Sequence, residues 1–375
     1  MKILDASRVL AGPYAAMMLG DLGHEVVKVE RPGEGDQTRA WGPPWQDGQS
    51  AYYLSVNRNK RSLTLNLKSP EGREIFRRLA TGSDVLIENF RAGELDGLGL
   101  GFAELSRLNP RLVFCSVTGY GQTGPWKDRP AYDLALQAES GWMSITGEAG
   151  APPVRVGVAV IDLFTAHFAV QSILSALLDR ERTGRGRRID VSMLDCAASS
   201  LTYMAQNALA TGESPGRMGS RHPSIVPYQA FPTRSGFIVI AAGSPAIWER
   251  LCAAIGKPEL PKDGRFSDNS KRVVNREALE AILTPVFREK ETADWLPLLQ
   301  AHDVPATPVN DVATGLALPP LVERKLVGPT GVGSPVAPGR DHRRPPRLGE
   351  HTEEILRELG FDDGATARLR AQGAV

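Results

Sequence analysis

The stretch VRVGVAVID, residues 154–162, joins a strand-like apolar run to the start of a long amphipathic helix. In open α/β sheets, ligands bind where the carboxyl end of a strand meets the helix that follows it. Asp162 stands at such a junction, and two roles fit an aspartate there. Its side chain can cap the helix by accepting hydrogen bonds from free backbone N–H groups, or it can act as a catalytic carboxylate.

Outward from Asp162, the first 200 residues alternate between strand-like runs and helical stretches. The helix after Asp162 is predicted to end at Gly184, and a second helix is predicted with Ser69 as its cap and Pro70 in its first turn. The first of these helices has a predicted buried face at Val170, Ile173, Leu174, Leu177 and Leu178. Strand-like runs lie at residues 25–29, 84–87, 112–114 and 189–191. The alternation predicts an α/β fold with a doubly wound, mostly parallel sheet.

The composition of the sequence changes after about residue 205, where frequent glycines and prolines indicate a connector without regular secondary structure. A strand is predicted at 237–241, and helices are predicted at 246–255, 276–287, 292–301 and 352–359. We predict a large α/β domain over 1–200, a linker over 201–221 and a smaller α+β domain over 222–312. Residues 313–375 are predicted to form a second linker and a segment that returns to the large domain.

The balance of charge gives no reason to expect a nucleic-acid or membrane partner. The chain has 44 Lys and Arg residues against 43 Asp and Glu residues. Its three cysteines lie far apart and form no CxxC pair, which argues against a disulfide framework or a zinc site. We find no apolar stretch of the roughly 20 residues that span a bilayer, and no signal or transit sequence at the N-terminus. These features predict a cytoplasmic protein.

Motifs for several other chemistries are missing from the sequence. The opening strand-turn-helix contains neither GxGxxG nor GxxxxGK[ST], and the chain contains no HxxxH or HExxH spacing, so neither a dinucleotide site nor a metal site is predicted. His167 follows Asp162 by about 1.4 helical turns and could approach its carboxylate, although an ordinary packed or surface histidine fits the same spacing. Asp162 is left with few competing catalytic groups, which favours chemistry in which a carboxylate acts as a nucleophile or as an acid or base.

A series of ordered motifs carries a family resemblance. They are RVLAGPYA at 8–15, GDLGHEVVKVERP at 20–32, GDQTR at 35–39, SVNRNKRSLTL at 55–65, IENFR at 87–91, TGYGQTGP at 118–125, RHPSIVPY at 221–228 and PPRLGEHT at 345–352. Together with the Asp162 segment, they resemble the family III CoA-transferases, also called the CaiB/BaiF family. The likeness covers essentially the whole chain.

The resemblance implies that Asp162 is the nucleophile. Its carboxylate would attack an acyl thioester to give a mixed anhydride, and the released CoA thiolate would then form an aspartyl-CoA thioester. An acceptor carboxylate would take over the CoA by the same steps in reverse. Because water destroys both intermediates, the resemblance also implies a shielded site.

The resemblance further implies substrates and partners. The positions that match CoA contacts are Arg39, Leu65, Lys68, Asn89, Phe90, Arg91 and Tyr132. CoA enters as a substrate, and no other cofactor is expected. The most similar subtype uses succinyl-CoA and a dicarboxylate such as glutarate. Family likeness also predicts an interlocked homodimer.

Two alternative functions and two departures from the family pattern accompany this interpretation. An α-methylacyl-CoA racemase would need a histidine before Asp133, where this chain has Tyr132, and a glutamate that we do not find matched in 237–250. A non-catalytic acyl-CoA-binding protein would show no activity that depends on Asp162.

The chain departs from the family pattern in two places. The segment 95–97 lacks an arginine found in some relatives. The turn 242–245 has one glycine, which argues against the formyl-CoA:oxalate subtype.

Overall fold

The computed structural model covers residues 1–375 and alternates strands with helices through most of its length. The strands are β1 (Lys2–Ala6), β2 (Glu25–Glu30), β3 (Trp45–Gln46), β4 (Gln49–Ser50), β5 (Lys60–Thr64), β6 (Val85–Glu88), β7 (Val113–Thr118), β8 (Arg188–Ser192), β9 (Tyr228–Pro232), β10 (Phe237–Ala241), β11 (Ala306–Pro308), β12 (Val327–Gly328) and β13 (Gly331–Val332). The helices are α1 (Ala11–Asp21), α2 (Ala51–Ser55), α3 (Pro70–Thr81), α4 (Glu94–Gly97), α5 (Phe102–Leu108), α6 (Asp133–Glu139), α7 (Trp142–Ile145), α8 (Val160–Thr183), α9 (Met193–Ser199), α10 (Tyr203–Thr211), α11 (Pro245–Ala254), α12 (Asn269–Val274), α13 (Arg276–Phe287), α14 (Thr292–Ala301), α15 (Val312–Leu316), α16 (Pro319–Glu323), α17 (Thr352–Glu358) and α18 (Asp363–Ala371).

The chain divides into two units. The first contains Met1–Trp142, Arg155–Glu213 and Pro319–Val375, and the second contains Met143–Val154 and Ser214–Leu318. No sequence pattern indicated that the short segment 143–154 groups with the second unit. The domain boundaries drawn from the sequence stay predictions.

The first unit is built on a six-stranded parallel sheet. Its strand order is β5-β2-β1-β6-β7-β8, and each neighbouring pair is parallel. The prediction of an α/β fold with a mostly parallel sheet is therefore confirmed. The chain winds outward from β1 in one direction and then from β6 in the other. In such sheets the crevice at the carboxyl ends of the two central strands is the usual ligand site.

Apolar side chains cover both faces of this sheet. Along β1, Ile3 joins one buried cluster with Ala15 of α1 and Ile173 of α8, whereas Leu4 joins a second cluster with Phe76 of α3. Because successive side chains of a strand point to opposite faces, this alternation places helices on both sides. It explains why β1, β6 and β7 are buried along nearly their whole length.

Helix α8 begins at Val160, and the strand predicted before it is wrong. Residues 154–159 form no strand. The backbone N–H of Val156 donates instead to the side chain of Gln137 at 2.9 Å, so a side chain takes the bond that a neighbouring strand would have taken. The predicted buried face is correct at Ile173 and Leu177, but Leu178 is 76% exposed.

Helix α8 also corrects the statement that no segment could span a membrane. Its 24 residues are long and apolar enough to do so by length and composition alone. Eight of its residues are buried within the protein, among them Ala166 and Ala169, which belong to the same core cluster as Ala15 and Ala16 of α1. These small side chains allow α1 and α8 to pack closely, so we assign α8 as a core helix of the first unit.

The second unit combines helices with a three-stranded antiparallel sheet of order β11-β10-β9. Its core contains Trp248, Phe287 and Trp295, and the indole N–H of Trp295 donates to the carbonyl of Phe287 at 2.8 Å. Helices α13 and α14 have the bounds predicted from the apolar spacing. A buried arginine, Arg272, donates to the backbone carbonyls of Val226, Phe266 and Gly243.

Candidate active site

Asp162 lies in the first turn of α8 and faces the start of α1. The backbone N–H of Ala11, the first residue of α1, donates to Asp162 Oδ1 at 3.1 Å. The capping alternative is wrong, because the N-cap of α8 is Ala159, and no side chain of that residue caps the helix. The carboxylate of Asp162 is thus free of a capping role and belongs to no ion pair.

A second carboxylate, Asp133, takes part of the capping role. Asp133 Oδ1 accepts a hydrogen bond from the N–H of Ile161 at 2.8 Å, and Asp133 Oδ2 accepts one from the side-chain amide of Gln137 at 2.5 Å. Since Gln137 also holds Val156, these contacts fix the segment that leads into Asp162. No sign of this structural function of Asp133 appears in the sequence alone.

The surroundings of Asp162 disfavour its charged form. Burial and the neighbouring charge of Asp133 raise the pKa of Asp162 to about 7, and the hydrogen bond from Ala11 opposes this rise. Burial, with the charges of Asp162 and Asp133, raises the pKa of Tyr52 to about 12, so Tyr52 keeps its proton near neutral pH. A basic, unpaired carboxylate beside a neutral hydroxyl is suited to nucleophilic attack.

A cavity of about 780 Å³ opens at the carboxyl ends of β1 and β6. Three of the predicted CoA contacts, Leu65, Lys68 and Phe90, line it. The Lys68 side chain is exposed, and no carboxylate pairs with its ammonium group. Arg8 also lines the cavity, with its guanidinium carbon 4.9 Å from the centre of the Phe90 ring. Sequence reasoning missed Arg8, although it is the first residue of the opening motif.

Arg39 is engaged within the protein. Its guanidinium forms two hydrogen bonds of 2.8 Å to the carboxylate of Glu30, and it also donates to the hydroxyl of Tyr53 at 2.6 Å and the carbonyl of Pro346. It stacks over the Tyr53 ring at 3.8 Å. These contacts leave few donors for a ligand, and a direct contact between Arg39 and CoA stays a prediction.

The other predicted contacts differ in their surroundings. The Asn89 side chain bonds both backbone groups of Arg8: it accepts from the N–H at 2.8 Å and donates to the carbonyl at 2.6 Å. Arg91 is exposed and lies outside the residues that line the cavity. Tyr132 is 61% exposed and precedes the first turn of α6. The ring of His167 contacts the carbonyl of Leu163, and no contact joins it to Asp162.

Fold and site together define an α/β enzyme with a basic carboxylate in the first turn of α8 and, in the same unit, a nucleotide-sized cavity whose lining does not include Asp162. The model of CoA-transferase family III matches residues 1–357 of the chain. The chain therefore belongs to CoA-transferase family III, which confirms the resemblance found in its motifs.

The likeness to known relatives and solved structures extends over nearly the whole chain. This chain is 43% identical to a human succinyl-CoA:glutarate CoA-transferase, and the alignment covers 100% of this chain and 89% of the relative. It is 40% identical to a succinate–glutarate CoA-transferase of Agrobacterium fabrum, over 96% and 94% of the two chains. A crystal structure of a CaiB/BaiF family protein from Brucella suis is 42% identical, with a TM-score of 0.86 over 96% and 98% of the chains.

Proposed function

We propose that this enzyme moves CoA from succinyl-CoA to a dicarboxylate acceptor through covalent intermediates on Asp162. The observation that carries the proposal is the unpaired Asp162 carboxylate, held by the N–H of Ala11 at the crossing of α1 and α8. The names of the relatives support the choice of succinyl-CoA as donor and of glutarate as acceptor. The single glycine in the turn 242–245 also fits a subtype other than formyl-CoA:oxalate transfer.

The first half of the reaction loads CoA onto the enzyme. An oxygen of Asp162 attacks the thioester carbonyl carbon, the C–S bond breaks and the CoA thiolate leaves, which forms a mixed anhydride. The thiolate then attacks the Asp162 carbonyl carbon of that anhydride. The donor acid leaves as a carboxylate and carries away one oxygen that began on Asp162, and the enzyme holds an aspartyl-CoA thioester.

The second half transfers CoA to the acceptor. The acceptor carboxylate attacks the aspartyl thioester, which releases the thiolate and forms a second anhydride. The thiolate attacks the acyl carbon of the acceptor, and Asp162 leaves as a carboxylate that keeps one oxygen from the acceptor. No step requires a net proton transfer, so no separate acid or base is needed.

The surroundings of Asp162 suit each of these steps. The pKa of about 7 makes the ionised carboxylate more basic than an ordinary aspartate, which strengthens it as a nucleophile. The N–H of Ala11 and the amino end of α8 would stabilise negative charge on the tetrahedral species. Because no cation pairs with Asp162, its attack does not first require an ion pair to break.

We assign the cavity at β1 and β6 to the nucleotide end of CoA. Phosphate groups need cations and backbone donors, and the Lys68 ammonium and the Arg8 guanidinium are available there. Contacts between CoA and Leu65, Phe90, Arg91 or Tyr132 belong to the same proposal. An interlocked homodimer and a cytoplasmic location remain predictions.

Oxygen labelling tests the covalent route. With succinyl-CoA and an acceptor whose carboxylates carry ¹⁸O, we expect one ¹⁸O atom in the peptide that contains Asp162 after a single turnover, as read by mass spectrometry. After repeated turnover the peptide should carry up to two ¹⁸O atoms, and the label should also reach succinate. Succinate labelled without any label on the Asp162 peptide would indicate direct transfer and would refute the covalent role.

A panel assay tests the substrate choice. Succinyl-CoA is offered with mono- and dicarboxylic acids of increasing length, and product CoA esters are read by mass spectrometry. We expect the highest kcat/KM with a dicarboxylate close to glutarate in length. Efficient transfer to monocarboxylates alone, or α-proton exchange of a 2-methylacyl-CoA without transfer, would overturn the proposed function.

A further inference from the structure

In the turn between β1 and α1, side chains bond five backbone groups of Ser7, Arg8 and Val9. The Ser7 N–H donates to Asp5 Oδ1 at 3.0 Å, and the Ser7 carbonyl accepts from Lys28 Nζ at 2.9 Å. Asn89 bonds the N–H and the carbonyl of Arg8. The Val9 N–H donates to both carboxylate oxygens of Asp36 at 3.3 Å. A connection of this length does not need so many side-chain partners merely to close.

Val9 gives the reason why the turn has to be held. Its φ angle is +72°, in the left-handed region that a β-branched residue rarely adopts. Such a conformation persists only where the surrounding structure over-determines it, and it is found mainly at functional sites. Two residues later in the chain, the Ala11 N–H points at the carboxylate of Asp162. The conformation of Val9 therefore bears directly on the direction of that donor.

The bonds to Ser7 and Val9 come from a buried ion pair. Lys28 Nζ lies 2.9 Å from Asp36 Oδ2, and both side chains are fully buried. Lys28 also lies 3.9 Å from Asp5, which in turn bonds Lys60 at 2.8 Å. Burying two charges costs desolvation energy that their attraction does not always repay, so an ion pair of this kind adds little to stability by itself. The ion pair does fix the positions of the two backbone groups that it bonds, the Ser7 carbonyl and the Val9 N–H.

The geometry of the turn passes directly into helix α1. The Tyr14 N–H donates to the Leu10 carbonyl at 2.8 Å, which closes the first turn of the helix immediately after Val9. Lys60, from the same charged cluster, donates to the carbonyl of Pro13 at 2.8 Å. The Ala11 N–H has no partner within the helix and is the one that Asp162 accepts.

We propose that the Lys28–Asp36 ion pair is a positioning device for the nucleophile, which fixes Val9 in its left-handed conformation and thereby aims the Ala11 N–H at Asp162. This inference rests on the proposed function of Asp162. Lys28 does not line the cavity assigned to CoA, whereas Asp36 does. Neither side chain bonds Asp162 itself, so both act on it through the turn. The ion pair, Asn89 and Asp5 together form the clamp of this turn.

The test removes the ion pair without leaving a buried charge. In the double variant Lys28→Met/Asp36→Asn, we expect kcat to fall on the order of a hundredfold, the effect of a misplaced reacting group. Adding Val9→Gly should recover on the order of tenfold of that loss, because glycine adopts a positive φ freely and no longer needs the clamp. The acid limb of the pH profile should also move to higher pH in the double variant, since the Ala11 bond favours the ionised form of Asp162.

A matched control separates positioning from stability. Asp21 and Arg58 form another buried ion pair in the first unit, bonded at 2.6 Å. The variant Arg58→Met/Asp21→Asn should lose a comparable amount of thermal stability but keep its acid limb, and Val9→Gly should not rescue it. Loss of stability in Lys28→Met/Asp36→Asn with an unchanged acid limb and no rescue would overturn the inference. The ¹⁸O experiment on the unmodified enzyme reports on Asp162 alone, so failure of the covalent role is recognised separately.

Discussion

Asp133 accepts a hydrogen bond from the N–H of Ile161 at 2.8 Å, one residue before the proposed nucleophile, Asp162. A carboxylate that caps the helix thus stands beside the carboxylate that is proposed to react. Its charge, together with burial, raises the pKa of Asp162 to about 7. The same contact that orders the start of α8 therefore also makes Asp162 more basic, and structure and reactivity are coupled through a single side chain.

The raised pKa of Asp162 predicts that its ionised carboxylate destabilises the fold. A carboxyl group whose pKa is about 7 when folded and 3.8 when unfolded is penalised whenever it is ionised in the folded state. The penalty is absent below pH 4, grows between pH 4 and 7 and then levels off, with an upper limit of about 4 kcal/mol. Asp162→Asn should therefore abolish turnover and yet raise the free energy of unfolding at pH 8.

Urea unfolding at pH 4.5, 6 and 8 and at one fixed protein concentration measures this effect. The gain from Asp162→Asn should increase across the three pH values, because the introduced asparagine amide can still accept the Ala11 bond but carries no charge. Asp363→Asn is the control, since the Asp363 side chain is 95% exposed. A variant at position 162 that is less stable than wild type at pH 8 would contradict the assignment.

The charge of Asp133 predicts the position of the acid limb. In the wild type, kcat/KM should rise with pH through about 7, as Asp162 ionises. Asp133→Asn removes the like charge and should move this limb to lower pH. It should also weaken the fold, because the introduced asparagine amide would face the amide of Gln137 as donor against donor.

A compensating change separates the two effects of Asp133→Asn. In Asp133→Asn/Gln137→Glu, the new carboxylate can accept from the asparagine amide introduced at position 133 and from the N–H of Val156, so the hydrogen-bond network is complementary again. We expect the double variant to regain thermal stability, which shows that the lost stability of Asp133→Asn comes from the mismatched hydrogen bond. Because the glutamate introduced at position 137 brings back a charge, the charge effect is measured in Asp133→Asn alone, and an acid limb that stays at the wild-type pH there would mean that the charge of Asp133 is not the cause.

Replacing Lys68 is expected to weaken the binding of substrates that carry the nucleotide part of CoA. Its exposed ammonium lines the cavity and pairs with no carboxylate, so its loss should raise the KM for succinyl-CoA about tenfold and leave kcat unchanged. With succinyl-pantetheine, which lacks the nucleotide, Lys68→Ala should match the wild type. Arg107→Ala serves as the control, because Arg107 is an exposed residue paired with Glu104. An equal loss with both substrates would place Lys68 elsewhere on the CoA molecule.

Local signals in the sequence were enough to find much of the fold. The Ser69 hydroxyl caps α3 by accepting from the N–H of Gly72 at 2.9 Å, with Pro70 in the first turn, as the pattern predicts. Gly184 ends α8 in the left-handed conformation expected of a C-terminal glycine. These features depend on neighbours in the chain, so a single sequence contains them.

Features that depend on distant partners were misread or missed. The run before Asp162 has strand-like composition, but Gln137, nineteen residues away, takes its backbone bond at Val156. The bond from Arg39 to Glu30 of β2 was also missed, because no local pattern indicates which carboxylate Arg39 meets. The clamp of Val9 uses Asp36, 27 residues along the chain. No local pattern encodes which of several charged residues will meet in the folded protein.

Alanine in place of Gly12 is expected to destabilise the protein, whereas alanine in place of Gly315 is expected to stabilise it. A Cβ at Gly12 would overlap the Cβ and Oγ of Ser7, which are buried in the turn, whereas a Cβ at Gly315 of α15 would meet open space. Alanine is favoured over glycine in helices by about 1 kcal/mol, so Gly315→Ala should stabilise the protein slightly. Gly12→Ala should instead cost about 1–3 kcal/mol through overpacking.

Because the overlap pushes Ser7 and α1 apart, Gly12→Ala should also lower kcat far more than it raises KM. Thermal unfolding and steady-state kinetics measure both effects, and a Gly12→Ala enzyme with wild-type kcat would mean that the start of α1 need not be held against Ser7 for Asp162 to react.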